Sequence, residues 1–203
     1  MRTFSNIIIG CMQPITKITL TGDLGSGKSA TSKILCQETG FSYLSTGQIQ
    51  RKLAAELGMD TLEMNRKADS DPSIDEKIDS VFIDLNQTEE GYIVDSRLAW
   101  HFLPQSFKVY LAVDPIVAAN RIMSDPGRNS EQYGSAEEAV EKIKARKESE
   151  NARFLLKYGV DCGNLENYDL VIDTTNRPPA EVAELILHAW RAKTQGTSFL
   201  KSV

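Results

Sequence analysis

The sequence predicts one α/β domain built on a five-stranded parallel β-sheet. Short, largely apolar runs alternate with stretches of helical periodicity along the 203 residues, and this alternation is typical of strands joined by helical crossovers. The runs lack a polar face, as expected for strands that helices cover on both sides. A chain of this length suits a single core. We therefore expect three layers, with the sheet between two layers of helices.

Five runs are predicted to be strands, at residues 17–21, 41–44, 91–95, 107–111 and 169–172. The first run ends in a Gly-rich turn. A helix over about 28–38 follows it, and Gly40 is expected to end that helix because glycine is the usual residue after a helix C-terminus.

The last helix is predicted over about 178–193. Val182, Ile186 and Ala189 lie on one stripe of it, with Leu185 and Trp190 beside them. A single apolar stripe of this kind predicts a helix that packs on the sheet.

Two helical excursions interrupt the strand–helix pattern, one after the second strand and one after the fourth. In the first, residues 60–63 have the spacing of a capping box, and Asp71 before Pro72 is a second helix start. In the other, the box at 135–138 opens a long charged helix, and the turn-rich stretch 124–130 predicts a hinge or loop tip.

The predicted organisation has three parts. Residues 1–15 are read as a disordered or mis-started extension, because their apolar run is too short for a signal peptide or a membrane span. Residues 16–194 form the domain, with the two excursions at 45–88 and 121–153, and residues 195–203 form a tail.

Composition excludes several classes of protein. The net charge of −5 lacks the basic excess of a nucleic-acid binder. The three cysteines, far apart in sequence, are typical of reduced thiols in a cytoplasmic protein, and two histidines make a His-based metal site improbable. We expect a cytoplasmic monomer without nucleic-acid or membrane partners.

The Gly-rich turn has the full pattern G-x-x-x-x-G-K-[ST] between a strand and a helix, so it predicts a triphosphate site. Its glycines let main-chain N–H groups face phosphate oxygens, and the helix adds its positive end. Lys28 is expected to reach the β- and γ-phosphates of ATP, and Ser29 to bind Mg²⁺. The alternative, a turn that only joins strand to helix, does not account for the Lys-Ser ending. The predicted nucleotide-binding residues are Gly22, Asp23, Leu24, Gly25, Ser26, Gly27, Lys28, Ser29 and Ala30.

Asp95 ends the third predicted strand. Ligands in open parallel sheets bind at the carboxyl ends of strands, so Asp95 is a second candidate for Mg²⁺, directly or through water. Its alternative role is to cap the helix that follows.

The positions of the arginines indicate where the molecule that accepts a phosphoryl group could bind. Arginine makes bidentate, permanently charged contacts with phosphate. Arg146, Glu150 and Arg153, at i, i+4 and i+7, share one helix stripe. An exposed Arg146–Glu150 ion pair is the alternative, although this order of charges supports a helix poorly. Six arginines follow strand ends or lie in the excursions: Arg51, Arg97, Arg121, Arg128, Arg146 and Arg153.

Several segments resemble the cytidylate kinases, most closely the short type typical of archaea, over about residues 17–190. Besides the phosphate loop, these segments are 44–51 (Leu-Ser-Thr-Gly-Gln-Ile-Gln-Arg), 58–75, 94–100 (Val-Asp-Ser-Arg-Leu-Ala-Trp), 146–153 (Arg-Lys-Glu-Ser-Glu-Asn-Ala-Arg) and 168–174. Ser96 stands where the family usually has glycine, and the loop around Arg128 departs from the family's lid.

The resemblance implies a P-loop kinase fold with a monophosphate-binding excursion and a lid, and transfer from ATP to CMP or dCMP. It implies that Arg51, Arg97 and Arg146 hold the acceptor phosphate, beside Thr46 and Gly47. Glu150 and Arg153 would read the pyrimidine ring, and the 174–177 loop would contact adenine. The residues implied for catalysis are Lys28, Arg97, Arg121 and Arg128.

Two alternatives stay open at this point. One is a P-loop kinase of another nucleotide or small metabolite, because a phosphate loop alone does not identify the acceptor. The other is a non-catalytic nucleotide-binding regulator, for which Ser96 is the motivating feature.

Overall fold

The computed structural model describes residues 14–59, 71–125 and 133–203. Four predictions lie wholly or largely outside these ranges: the extension up to residue 13, the helix start at 60–63, the hinge or loop tip at 124–130, and the role of Arg128. All five predicted strands are confirmed, each with bounds within one residue: β1 Lys17–Gly22, β2 Ser42–Ser45, β3 Tyr92–Asp95, β4 Phe107–Ala112 and β5 Leu170–Asp173.

The sheet has the order β2-β3-β1-β4-β5, and every neighbouring pair is parallel. All carboxyl ends therefore meet at one edge. β1, which continues into the Gly-rich turn, is the central strand, and Asp95 lies at the end of its neighbour β3. This arrangement brings the candidate site residues of distant segments together.

The helices in the described ranges are α1 Lys28–Thr39, α2 Thr46–Glu56, α3 Pro72–Asn86, α4 Ala99–Phe102, α5 Pro115–Met123, α6 Ala136–Tyr158 and α7 Pro179–Thr194. Three predicted boundaries are confirmed by their hydrogen bonds. Gly40, at φ 73°, ends α1 and donates to Cys36. Asp71 accepts from the N–H of Ser73 at 3.1 Å, and Ser135 accepts from that of Glu138 at 3.2 Å.

The main core lies between the sheet, α1 and α7. Val182, Ile186 and Ala189, the predicted stripe of α7, are each at most 3% exposed, and Leu185 and Trp190 pack against them. Burial of such a stripe stabilises the domain because its apolar area leaves water.

The first excursion has an apolar core of its own. Ile49 and Leu53 of α2 pack with Ile74, Ile78 and Phe82 of α3, and Val94 of β3 joins the same cluster. Because β3 belongs to the sheet, this cluster fixes α3 relative to the carboxyl ends of the strands.

The C-terminal residues run along the outer edge of β5. Val171 donates to Lys201 at 2.7 Å, and Asp173 donates to Val203 at 3.0 Å. The Phe199 ring packs edge to face against Phe107 of β4, with 5.8 Å between the ring centroids. This distance is within the range of about 4.5–7 Å that such aromatic pairs favour. The segment predicted as a tail thus covers an edge strand.

No helix within residues 14–59, 71–125 and 133–203 combines the length and the apolar character that crossing a bilayer requires.

Candidate active site

The glycines of the phosphate loop are required by close packing. A side chain on Gly22 would place Cβ 2.1 Å from the carbonyl oxygen of Leu111, and one on Gly25 would meet the backbone of Ala118 at 2.8 Å. Gly27 has φ 86° and directly precedes α1. The loop is therefore shaped by neighbouring backbone as well as by its own turns.

Asp23 anchors the phosphate loop to two other elements. Its carboxylate accepts from the Tyr110 hydroxyl at 3.0 Å, from Lys147 Nζ of α6 at 2.6 Å and from the N–H of Val113 at 3.3 Å. Burial, and next the nearby Asp23 carboxylate, raises the pKa of Tyr110, so the phenol stays protonated and keeps donating.

The Lys28 ammonium lies over the loop. It donates to the carbonyl oxygens of Gly22 at 3.1 Å and Asp23 at 2.7 Å. The predicted phosphate-binding cation therefore lies where main-chain N–H groups of the loop and the start of α1 also gather.

Ser29 and Asp95 are brought together as predicted. The Ser29 hydroxyl donates to Oδ2 of Asp95 at 3.3 Å, and the Tyr43 hydroxyl donates to the same oxygen at 3.3 Å. These oxygens suit Mg²⁺, which prefers hard ligands. In the described ranges no three carboxylate, histidine or cysteine side chains form a metal cluster, so an ion here would depend largely on phosphate oxygens.

The side chain of Ser96, and not that of Asp95, caps the helix that follows β3. The Ser96 hydroxyl accepts from the N–H groups of Leu98 at 3.3 Å and Ala99 at 3.2 Å, at the start of α4. The described contacts of Asp95 are with Ser29 and Tyr43 instead. The capping alternative for Asp95 is thus wrong, and the residue that departs from the family pattern has a structural role.

Two predicted arginines share one carboxylate. Arg97 Nε lies 2.7 Å from Oε2 of Glu150, and Arg146 Nε lies 3.0 Å from Oε1. The Arg146–Glu150 ion pair that was the alternative reading does form, but Arg97 from the β3–α4 loop completes it. Both carboxylate oxygens are therefore engaged with guanidinium groups.

One cavity of about 470 Å³ connects these groups. It reaches from Lys28, Ser29 and Asp95 at the phosphate loop to α3 and the end of α6. All the residues predicted to bind the acceptor line it: Thr46, Gly47, Arg51, Arg97, Arg146, Glu150 and Arg153. The structure thus gathers the acceptor set into a single cleft.

The far end of this cavity contains residues that the sequence analysis did not single out. Tyr158 donates to Oδ2 of Asp79 at 2.8 Å, and Lys157 pairs with Asp75 at 2.9 Å. The signal was present: Asp75 and Asp79, at i and i+4, flank the apolar stripe of α3 on one side. Sequence spacing does not reveal that this side faces α6.

Arg121 lies on the other side of the phosphate loop. Its guanidinium donates to the carbonyl oxygens of Gly25 at 3.3 Å, Thr174 at 2.8 Å and Thr175 at 3.1 Å. It ties the phosphate loop to the 174–177 loop and does not line the cavity that contains Arg97.

Comparisons with known proteins agree on the relationship of this chain. The sequence model of the cytidylate kinase-like family matches residues 17–176. A cytidylate kinase of Sulfurisphaera tokodaii is 36% identical over 171 residues, which cover 83% of this chain and 92% of that protein. A cytidylate kinase of Ignicoccus hospitalis is 37% identical over 175 residues, covering 85% and 97%.

The fold is also found among solved structures. The shikimate kinase of Aquifex aeolicus superposes with a TM-score of 0.59 at 16% identity, over 89% of this chain and 99% of that one. At such low identity the likeness concerns the arrangement of strands and helices alone.

Proposed function

Because the chain belongs to the cytidylate kinase-like family, we propose that it transfers the terminal phosphoryl group of ATP to a cytidylate, CMP or dCMP. The observation that carries this proposal is the shared cleft, which is lined by Lys28 of the phosphate loop and by Arg97 and Arg146. Two phosphates can then lie side by side, one in each half. Relatives that carry the name cytidylate kinase support the choice of acceptor.

We assign the ATP-binding half of the cleft to the phosphate loop. Main-chain N–H groups between Gly22 and Ala30 would cradle the polyphosphate, and Lys28 would exchange its loop carbonyls for β- and γ-phosphate oxygens. Arg121 holds this loop to residues 174–177, which supports a role for that segment at the donor base. We therefore assign Arg121 to positioning of the donor site.

Mg²⁺ would be held by Ser29 and Asp95 together with phosphate oxygens. When bound, it would neutralise part of the negative charge on the β- and γ-phosphates. The pairing of the two side chains at 3.3 Å supports this assignment.

The acceptor half is assigned to Arg51, Arg97 and Arg146, with Thr46 and Gly47 at the start of α2. A phosphate oxygen of the acceptor is already anionic, so the attack needs no strong general base. Catalysis then consists of alignment and charge neutralisation by Lys28 and the arginines. Closure of the two excursions over both nucleotides would limit transfer to water.

Glu150 receives a second assignment. Because its two oxygens accept from Arg97 and Arg146, we assign it to positioning of these guanidiniums. The expected contact of Glu150 with the base stays a prediction, and the experiments below distinguish the two roles.

The test is steady-state ADP release with ATP and Mg²⁺ against CMP, dCMP, UMP, AMP and GMP. We expect kcat/KM for at least one cytidylate to exceed that for the other monophosphates by roughly tenfold or more. Lys28→Ala, checked for folding by circular dichroism, should lower kcat by on the order of 100-fold, which also excludes a contaminating kinase.

Equal turnover of all five monophosphates, or none with either cytidylate, would remove the proposed acceptor. Turnover of a different small molecule alone would favour the metabolite-kinase alternative. ATP binding without any transfer would favour the regulator. A cytoplasmic, monomeric protein remains our expectation, with sedimentation velocity as the check on the monomer.

A further inference from the structure

We propose that Asp79, held by Tyr158, selects cytosine by accepting a hydrogen bond from the exocyclic amino group of the acceptor base. This inference rests on the proposed function and names a specificity-determining residue for it. Nothing in the predicted acceptor set covers this position.

The direction of the acceptor in the cleft follows from the course of α6. Lys147, at the midpoint of α6, contacts Asp23 of the phosphate loop at 2.6 Å. Tyr158, at the C-terminal end of α6, contacts α3. Residues 146 and 158 are separated by about 18 Å along a helix, at about 1.5 Å per residue. An acceptor with its phosphate at Arg97 and Arg146 therefore points its base toward α3.

The far end of the cavity has the character of a base pocket. Its walls include Ile78 and Phe82, which are 8% and 2% exposed, and Phe154. The Arg153 guanidinium lies over the Phe154 ring at 5.4 Å from the centroid. Flat apolar walls with a few polar groups are typical of sites that bind a planar ring.

Three carboxylates line the acceptor half of the cavity. They differ in whether an oxygen is still available to accept a hydrogen bond from the base. Both oxygens of Glu150 already accept from arginines. Asp75 is neutralised by Lys157 at 2.9 Å. Among the described residues, the hydrogen-bond partner of Asp79 is the neutral Tyr158 hydroxyl, which donates to Oδ2 and leaves Oδ1 as an acceptor. Asp79 is thus the carboxylate best suited to a neutral N–H donor.

The discrimination follows from hydrogen-bond chemistry. Cytosine carries an amino donor at position 4, whereas uracil carries a carbonyl oxygen there. A carboxylate in a half-buried pocket accepts from the amino group, but opposite a carbonyl it loses its water without gaining a donor. Sites built around such a bond reject the analogue that lacks the donor.

The experiment compares kcat/KM for CMP and UMP in the full chain. In Asp79→Asn the amide can donate to the uracil oxygen, so we expect the CMP-over-UMP ratio to fall roughly 10- to 100-fold. Asp75→Asn, one turn earlier on the same helix, is the matched control and should change the ratio by less than about threefold. Glu150→Gln should raise KM for both nucleotides and leave the ratio in place.

A second measurement uses the pyrimidin-2-one ribonucleotide, in which hydrogen replaces the amino group. Its kcat/KM should fall below that of CMP in the wild type but not in Asp79→Ala, because alanine offers the amino group no acceptor, whereas the amide oxygen of an asparagine could still accept. If Asp79→Asn does not fold, Tyr158→Phe replaces it, and we expect its CMP-over-UMP ratio to fall about threefold as Asp79 loses its orienting bond.

The proposal is overturned if a folded Asp79→Asn or Tyr158→Phe keeps the wild-type ratio, or if Glu150→Gln collapses it instead. Additive losses from the variant and the analogue would also overturn it. These outcomes differ from failure of the proposed function, in which the wild type itself turns over neither cytidylate.

Discussion

At the scale of single residues, the contacts of Glu150 were only partly predictable from sequence spacing. The i, i+4, i+7 stripe predicts that Arg146, Glu150 and Arg153 face one ligand, and all three line the cleft. The contact between Glu150 and Arg97 joins residues from different elements at 2.7 Å. No periodicity predicts such a contact, because it depends on how α6 crosses the ends of the strands.

The pKa of Asp79 provides a pH test at the same scale. Burial raises this pKa; the Tyr158 hydroxyl, Lys157 and His101 lower it in part, while Asp75 raises it further. Once protonated, the carboxyl becomes a donor and accepts the cytosine amino group poorly.

We therefore expect the CMP-over-UMP ratio of kcat/KM to decline as pH falls through this raised pKa. The raised pKa means that the decline begins at a higher pH than for an ordinary aspartate. Asp79→Asn, assayed with the same nucleotides, corrects for titration of the bases and of the other groups in the cleft. Parallel profiles in the two proteins would show that another group titrates.

At the scale of elements, α6 is the link between the two halves of the cleft. Lys147 joins it to the phosphate loop through Asp23, and Arg146, the neighbouring residue, belongs to the acceptor set. Loss of the Lys147 contact should loosen both halves together, because one helix carries both.

We expect Lys147→Met to lower kcat by roughly threefold to tenfold and the free energy of unfolding by about 1–2 kcal/mol, since Asp23 loses a charged donor in a partly buried site. Lys142→Met is the matched control. It removes an exposed i, i+4 pair with Glu138 from the same helix and should leave the free energy of unfolding almost unchanged. Urea unfolding and steady-state kinetics measure both effects, and equal losses in the two variants would refute a special role for Lys147.

The elements themselves were largely predictable. Each strand is a short apolar run between helical segments, and caps such as Asp71 and Ser135 have local signatures that the structure confirms. The start of α2 was less visible. Ser45 and Gln48 form a reciprocal capping box at 3.0 and 3.2 Å, which directs Thr46 and Gly47 into the cleft.

At the scale of the whole molecule, the C-terminal segment was the least predictable part. Residues 195–203 have no strong periodicity, so the sequence predicts a tail there. Their backbone nevertheless pairs with β5, and Phe199 packs on the main core. Covering an exposed edge strand also protects it from pairing with other chains.

We expect Phe199→Ala to reduce the free energy of unfolding by about 1–3 kcal/mol, because a half-buried ring leaves its contact with Phe107. The neighbouring Leu200→Ala is the control: this side chain is 73% exposed and should contribute less than about 0.5 kcal/mol. Urea unfolding compares the two variants, and kcat should stay near the wild-type value in both. A tail without a structural role would give the same stability for both variants.

The carboxylate shared by Arg97 and Arg146 also shapes which anions the cleft retains. Two adjacent guanidinium groups repel each other. The carboxylate between them relieves that repulsion, and it also halves the net positive charge that an incoming anion meets. A small inorganic ion such as sulfate interacts through its charge alone, so these partly neutralised arginines bind it weakly. A nucleotide adds ring and sugar contacts further along the cleft, and occupancy therefore follows the shape of the whole molecule more than the strength of its charge.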